Sequence, residues 1–461
     1  MKRSTAAILL SIVFAIVFYH QDLGINVLIY GAIASLFAVV VLFSAKRPTH
    51  HFALAVLPFL FAASSAGING TVMPVFVSFA AFGFLGAQIA NPRVDPISSV
   101  GMGLLNFIVS PFRLFTGTAR GLKVDSKLQR KIISYVLLPA CFVALFSVFY
   151  ASANPVFEKL LEQINWDFLR ADLFWVLLLG ALFSVVVFRF YIPPIYFKLL
   201  PTPQKERDEV PPYEPSLLPN TWAVIFFTLS ALLLFVISSD FVYRFVLHTM
   251  PEGLNRSAYL HRGIFSLIVS ILLAIGLIAF VFQRESTKLE KASAIFFMLL
   301  NLVFIVQNGE KNFLYIAEYG MTMKRLGVFL YLFMTSVGVV LTLILISGRI
   351  TLIQLVQFNS YNIFYSLVLF SCFNWPRVIT RHNLSHVPAT TGQVDLDYLF
   401  QFRSVNLDII QRHIDPTEIP ERYQYKIERF KQEYEEAGFL SRSVYDHLIY
   451  RNIIEYDNHA E

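Results

Sequence analysis

Residues 325–347 read RLGVFLYLFMTSVGVVLTLILIS, and this stretch decides the class of the fold. After Arg325 it contains no charged residue, and it is long enough to cross a bilayer as a helix, which takes about 20 predominantly apolar residues. The whole chain of 461 residues shares this character, because 56% are hydrophobic and only 15% are charged, whereas a soluble chain has about 25% charged residues. A soluble enzyme, a nucleic-acid-binding domain and a disulfide-stapled secreted module are therefore excluded.

Eleven apolar runs are predicted to span the membrane, so the fold class is an all-α polytopic integral membrane protein. The runs cover residues 4–19, 24–44, 51–67, 71–90, 132–151, 171–192, 220–247, 262–282, 291–308, 325–347 and 350–375. They predict a six-span membrane half, a proline-rich charged cytoplasmic linker, a five-span membrane half and an acidic helical tail module, which occupy residues 1–192, 193–219, 220–375 and 376–461.

The distribution of basic residues predicts the orientation. With the amino terminus in the cytoplasm, 19 of the 27 Lys and Arg residues that precede Trp375 lie inside and 8 lie outside, which is the asymmetry that insertion favours. An odd number of spans then places the carboxyl-terminal tail outside. If residues 350–375 only dip into the membrane or lie along it, the tail is cytoplasmic instead.

Two segments suggest partners beyond the lipid bilayer. The cytoplasmic loop 91–131 carries seven Lys and Arg residues around an apolar stretch that Pro111 interrupts, and it either binds anionic lipid headgroups or is an ordinary basic loop. In the tail, residues 423–436 and 440–454 have helical patterns with closely spaced opposite charges. They form either a docking module for a protein partner or a solvated hairpin. No nucleic-acid partner is predicted.

The sequence contains no short signature of an enzyme. Phosphate-binding, dinucleotide-binding, nucleophile-elbow and zinc-protease motifs are all missing. His382 and His386 can share a helix face but lack an evident third ligand, and Asp395-Leu-Asp397 lacks the nucleotide-binding domain that a metal-dependent sugar transferase requires. We therefore predict neither a metal site nor a cofactor.

Polar residues gather at the predicted outer ends of the second-half spans. They support either a pocket open to the outside for an anionic or sugar-like ligand, or interfacial anchoring with ordinary surface ion pairs. The candidate outer-face residues are Asp240, Arg244, Tyr259, Arg262, Glu310, Tyr315, Glu318, Tyr319, Gly320, Thr322 and Arg325. Asp240 and Arg244 lie one helical turn apart, a spacing at which they can pair.

Two motifs resemble a known family. Residues 315–326, YIAEYGMTMKRL, resemble the Y…YGLT-x-x-RL segment of bacterial multi-pass membrane proteins known only by a domain of unknown function. Residues 374–383, NWPRVITRHN, and 394–399, VDLDYL, are similar to the pattern that follows the last span of that family. The resemblance implies a bacterial inner-membrane protein and no particular activity. It marks Tyr319, Gly320, Thr322 and Arg325 in the first motif, and Arg377, Arg381, Asn383, Asp395, Asp397 and Tyr398 after the last span.

Three classes of function remain open at this point. The first is a non-enzymatic envelope component that recognises a ligand or partner through its outer face and helical tail. The second is a transporter or permease of a small solute, which is disfavoured because the spans contain almost no ionisable groups near the middle of the bilayer. The third is a membrane enzyme acting on lipid-linked or cell-wall precursors, with a carboxylate such as Asp240, Glu310 or Glu318 as the base.

Overall fold

The computed structural model describes most of the chain as helix. The described residues are 3–44, 49–117, 172–188, 190–193, 196, 220–242, 270–282, 286–387, 392–414 and 419–460, and no strand occurs among them. Five helices are long and apolar enough to cross a membrane, and the bent pair Leu352–Ser371 and Trp375–Ser385 makes a sixth candidate. The prediction of an all-α membrane protein is confirmed at this level. The predicted span 132–151 and the linker, apart from residues 193 and 196, lie outside the described residues.

The chain divides into two compact units. One comprises Met1–Ile192 with Gln432–Leu448, and the other comprises Pro193–Lys431 with Ile449–Glu461. The helices described in the first range are α1 (Arg3–Phe18), α2 (Ile25–Ser44), α3 (Thr49–Asn69), α4 (Val72–Ala90), α5 (Pro96–Gly117) and α6 (Asp172–Phe188). Those from residue 193 to 413 are α7 (Thr221–Phe241), α8 (Ser270–Val281), α9 (Lys288–Tyr319), α10 (Met323–Ile346), α11 (Leu352–Ser371), α12 (Trp375–Ser385), α13 (Leu396–Leu399) and α14 (Leu407–His413). A hairpin follows, formed by α15 (Glu421–Glu436), a 3₁₀ turn at Phe439–Ser441 and α16 (Val444–Ala460).

Small residues let the helices of the first unit approach closely. A Cβ atom at Gly31 of α2 would lie 2.3 Å from the Cβ atom of Ala63 on α3, and one at Gly180 of α6 would lie 2.9 Å from the Phe14 side chain of α1. Because lipid tails are as apolar as leucine, van der Waals contact across such small residues is a main source of helix association in a membrane.

The beginning of the predicted 91–131 loop is a helix and not a loop. α5 continues through Pro111, and its Asn106 side chain donates to the Tyr191 carbonyl oxygen at 3.0 Å and accepts from the Tyr191 amide at 2.8 Å. Proline is tolerated in such helices because the packed neighbourhood satisfies the freed carbonyl group. This part of the segment packs on α4 and α6, while residues 118–131 lie outside the described range.

A hydrophobic core joins four of the helices described in the second unit. Its members come from α7 to α10, and they are Phe226, Ile271, Ala274, Ile278, Val281, Ala294, Phe297, Met298, Ile305, Leu332, Val339 and Ile346. Two capping boxes fix the starts of its helices: Thr287 with Glu290 at α9, and Thr351 with Gln354 at α11. In each box the threonine oxygen and the longer side chain satisfy two backbone N–H groups that a helix leaves unpaired.

Helix α9 is longer than the predicted span 291–308. Its 32 residues reach about 48 Å at 1.5 Å per residue, well beyond a hydrocarbon core of about 30 Å. Glu310 through Tyr319, expected between two spans, therefore form the last three turns of this helix. The candidate outer-face residues of this segment are held on a rigid element.

The chain bends by 61° between α11 and α12. Asn374 caps α12 by accepting from the Arg377 amide, and Pro376 lies in the first turn, where its missing N–H costs nothing. α11 packs along α10, and α12, which follows it, contacts the turn between α9 and α10. The chain therefore returns along α10 to the turn at which α10 begins.

Candidate functional site

The two motifs meet in the second unit. Asn383 of α12 accepts a hydrogen bond from the Met321 amide at 2.7 Å and donates to the Met321 carbonyl oxygen at 2.9 Å. The Tyr398 hydroxyl accepts from the Met323 amide at 2.8 Å. Side chains of the post-span motif therefore hold the backbone of the turn between α9 and α10, although 62 to 75 residues separate the partners in sequence.

Gly320 shapes this turn. Its backbone has φ 81° and ψ 170°, a conformation that is essentially restricted to glycine. The φ angle is positive while the ψ angle is extended, so the backbone here is not in the left-handed helical conformation. Thr322 then caps α10, since its hydroxyl accepts from the Arg325 amide at 3.3 Å.

Arg325 holds the end of α9. Its guanidinium donates to the carbonyl oxygens of Tyr319 and Gly320 and lies 4.1 Å from the centre of the Tyr315 ring. The Asn312 side chain donates to the Arg325 carbonyl oxygen at 2.9 Å. These partners carry no negative charge, and a cation over an aromatic face gains further stabilisation. Arg325 thus has a positioning role that the sequence did not reveal.

Tyr398 remains a neutral phenol in this setting. Burial raises the pKa of its hydroxyl, and the Met323 hydrogen bond and the nearby Arg325 charge offset this only in part. At neutral pH the Tyr398 oxygen accepts from the Met323 amide and keeps its own proton to donate.

Arg377 does not face the turn. It forms a buried bidentate ion pair with Asp408 of α14, at 2.7 and 2.8 Å, and its Nη1 also donates to the Val405 carbonyl oxygen at 3.0 Å. Asn452 of α16 donates to the same carboxylate at 2.7 Å. This network fixes α12, the helix that carries Asn383, against the rest of the tail.

A cavity of about 590 Å³ opens where the two motifs meet. It is lined by Asn312, Tyr315, Thr322, Met323, Lys324, Arg325, Val328, Tyr398, Gln401 and Phe402. Lys324 is exposed, Asn312 and Tyr315 are buried, and none of the ten lining residues is acidic. The cavity combines two cations, three aromatic rings and amide groups, which suits an anionic ligand with a polar body.

The remaining candidate residues that the structure describes do not line this cavity. Asp240 at the end of α7 pairs with Lys311 of α9 at 2.7 Å, both largely buried, whereas Arg244, one helical turn further along the chain, lies outside the described residues. Tyr259 and Arg262 also lie outside them. Of the others, Glu318 is half-buried, and the exposed ones are Glu310, Arg381, Asp395 and Asp397.

Four candidate residues, Tyr315, Thr322, Arg325 and Tyr398, line the cavity, and the six lining residues outside the candidate lists are Asn312, Met323, Lys324, Val328, Gln401 and Phe402. Asn312 precedes Tyr315 by three positions, so helical spacing could have placed both on one face. His382 and His386 stack with their ring centres 4.9 Å apart. Within the described ranges, no group of three or more His, Cys, Asp or Glu side chains is placed to hold a metal ion.

Comparison with known proteins gives one match. A family model described as a domain of unknown function (DUF4153) matches residues 5–412, nearly the whole chain. No curated protein and no solved structure matches.

Proposed function

The chain belongs to the DUF4153 family, and on that premise we propose that it is a bacterial inner-membrane protein that recognises an anionic or sugar-like ligand on its extracytoplasmic face. The observation that carries the proposal is the cavity at the turn between α9 and α10. Two family motifs that are distant in sequence build this cavity together, so the part of the chain that resembles the family most clearly is also the part that forms a site.

The charge of the lining favours an anion. Lys324 is exposed, and the Arg325 guanidinium is held by carbonyl oxygens and aromatic faces that leave its positive charge in place. An anion that enters the cavity meets two cations and no carboxylate among the lining residues. Rings of Tyr315, Tyr398 and Phe402 offer flat surfaces to the body of the ligand.

The same lining favours recognition over catalysis. It contains no Asp, Glu, His or Cys, and the hydroxyl oxygens of Thr322 and Tyr398 already accept hydrogen bonds from backbone amides. Arg325, Asn383 and Tyr398 hold backbone groups of the turn, so they serve to preorganise the cavity. We therefore propose a non-enzymatic envelope component.

Eleven spans with the amino terminus inside remain the topology that we propose. Five long apolar helices, the bent pair and the shorter apolar helices coincide with ten of the eleven predicted runs. In this topology the turn between α9 and α10 is extracytoplasmic. The contact of α12 with that turn supports a tail on the same side, because α11 then crosses the full bilayer.

Replacing Lys324 with glutamine is expected to weaken binding of inorganic phosphate about two- to fivefold, because one partly screened charge contributes up to about 1 kcal/mol. Binding would be followed by phosphorus NMR line broadening with the full chain in nanodiscs. Lys291→Gln is the matched control, since Lys291 is an exposed lysine at the opposite end of α9. Equal binding by both variants, or none by the wild-type chain, would overturn the anionic site.

Labelling with a membrane-impermeant thiol reagent in spheroplasts tests the topology. With Cys141 and Cys372 replaced by alanine, single cysteines at Glu318 and at the exposed Tyr425 of the tail are expected to react, and one at Lys205 is not. Protection of the cysteine at residue 425 together with reaction at residue 205 would contradict the proposed orientation.

A further inference from the structure

The first unit contains an apolar cavity of about 370 Å³. Its walls come from α1, α2, α3, α4, α6 and the turn between α1 and α2, and they are apolar except for Gln21, Ser78 and the hydroxyl group of Tyr30. The apolar lining residues are Phe14, Phe18, Leu23, Val27, Phe59, Ala63, Val75, Phe79, Phe82, Val176, Leu179 and Phe183. Rings cluster on one side, with Phe183 5.6 Å from both Phe14 and Phe79 between centroids.

We propose that this cavity holds one hydrocarbon chain of a membrane lipid. Water does not fill an apolar cavity of this kind, and an empty one forfeits the dispersion contacts of its walls. The surrounding helices are apolar and membrane-embedded by composition, so hydrocarbon is the neighbouring material that matches the walls.

The shape of the cavity fits a chain that enters from one leaflet. On α4 and α6 the lining runs over seven residue steps, from Val75 to Phe82 and from Val176 to Phe183, and each run corresponds to about 10 Å of helix, roughly a third of the hydrocarbon thickness. The third run begins at Leu23, before the start of α2, and reaches Tyr30 on that helix. Gln21 and Leu23 belong to the turn between α1 and α2, so the cavity begins at that membrane surface.

The cavity adjoins an interface that is already built. Gln21, which lines it, accepts a hydrogen bond from the Ser441 hydroxyl at 2.9 Å, and a Cβ atom at Gly438 would lie 2.7 Å from the Gln21 side-chain oxygen. The tip of the carboxyl-terminal hairpin therefore contacts a residue at the surface end of the cavity. The bound chain lies beside this tip.

The test uses a phosphatidylglycerol with a diazirine in one acyl chain, at trace level in phosphatidylethanolamine–phosphatidylglycerol liposomes that contain the full-length protein. Photolysis and peptide mass spectrometry are expected to place adducts on the lining residues Phe59, Phe82 and Phe183, of which Phe59 and Phe82 are buried. Val75→Trp, which fills the cavity, should reduce these adducts at least fivefold. Val72→Trp is the matched control, because Val72 is 55% exposed one turn away on the same helix.

Leu179→Trp fills the cavity from α6 and keeps the test decisive if Val75→Trp does not fold. Adducts confined to outward-facing residues such as Phe76, or lining adducts that neither filling variant reduces, would overturn the lipid site. Lys324 belongs to the second unit, so failure here and failure of the anionic site are separate results.

Discussion

Replacement of Asp408 with alanine is expected to destabilise the carboxyl-terminal region by about 3–5 kcal/mol, because it leaves the Arg377 guanidinium buried without its counter-charge. The side chains of the pair are only 6% and 3% exposed, and both oxygens of the carboxylate accept from the guanidinium. Asn452 loses its acceptor in the same variant.

The measurement is thermal unfolding of the purified protein by tryptophan fluorescence, together with protease sensitivity of the tail. Arg381→Ala is the matched control, since Arg381 is an exposed arginine one turn further along α12 and should change stability by less than about 0.5 kcal/mol. The double variant Arg377→Met with Asp408→Leu should recover most of the loss, because well-packed apolar residues often replace a buried ion pair without penalty. Equal behaviour of Asp408→Ala and Arg381→Ala would contradict this account of the pair.

Loss of the Arg377–Asp408 ion pair should also disturb the cavity that the two motifs form. Arg377 and Asn383 lie on the same helix, and Asn383 holds both backbone groups of Met321. A shift of α12 would release the turn between α9 and α10, so Asp408→Ala should weaken phosphate binding although Asp408 does not line the cavity.

Sequence predicts well what depends on local composition. The run 325–347 and the observed helix Met323–Ile346 differ by two residues or fewer at each end, because an apolar stretch of this length has few alternatives to a membrane helix. The predicted end of the preceding span, residue 308, is not the end of its helix, for a specific reason. Beyond Val306, the side chains of Asn308 and Asn312 are buried against the rest of the protein, and the helix continues. A hydropathy scale scores asparagine as polar, so it predicts that the apolar span ends here.

The site was predictable only in part. Motif resemblance identified both segments that form it, but sequence alone provides no distance between Met321 and Asn383. The roles of individual residues were less accessible still. Arg325 and Arg377 have the same charge, and both lie in motifs. Arg325 lines the cavity, whereas Arg377 forms a buried ion pair with Asp408. The difference between the two arginines depends on Asp408, which the fold places next to Arg377.

The tail was predicted as either a docking module or a solvated hairpin, and its tip is docked on the chain itself. Within the first unit, the Ile25 amide donates to the Arg442 carbonyl oxygen at 2.9 Å. The Ser441 hydroxyl accepts from the Asp22 amide at 2.9 Å and donates to Gln21. A protein partner for the tail remains a proposal, and it would have to use surfaces outside this tip or displace it.

Replacement of Gly24 with alanine is expected to undock this tip. An added Cβ atom would lie 2.3 Å from the Ser441 carbonyl carbon and 2.6 Å from the Arg442 nitrogen, and backbone atoms cannot move aside as a flexible side chain can. The clash also breaks hydrogen bonds that contribute about 0.5–1.5 kcal/mol each. We expect trypsin to cleave after Arg442 at least tenfold faster, since cleavage tracks the population of the open form.

Two further variants make this test specific to the contact. Gly101→Ala is the matched control, because a Cβ atom at Gly101 meets nothing within 4 Å and alanine favours a helix interior. Its cleavage rate should equal that of the wild-type chain. Ser441→Ala removes the bridging hydroxyl without a clash and should give an intermediate rate. If Gly24→Ala and Gly101→Ala were cleaved equally slowly, the tip would not depend on this contact, and the hairpin would be held by the rest of α15 and α16.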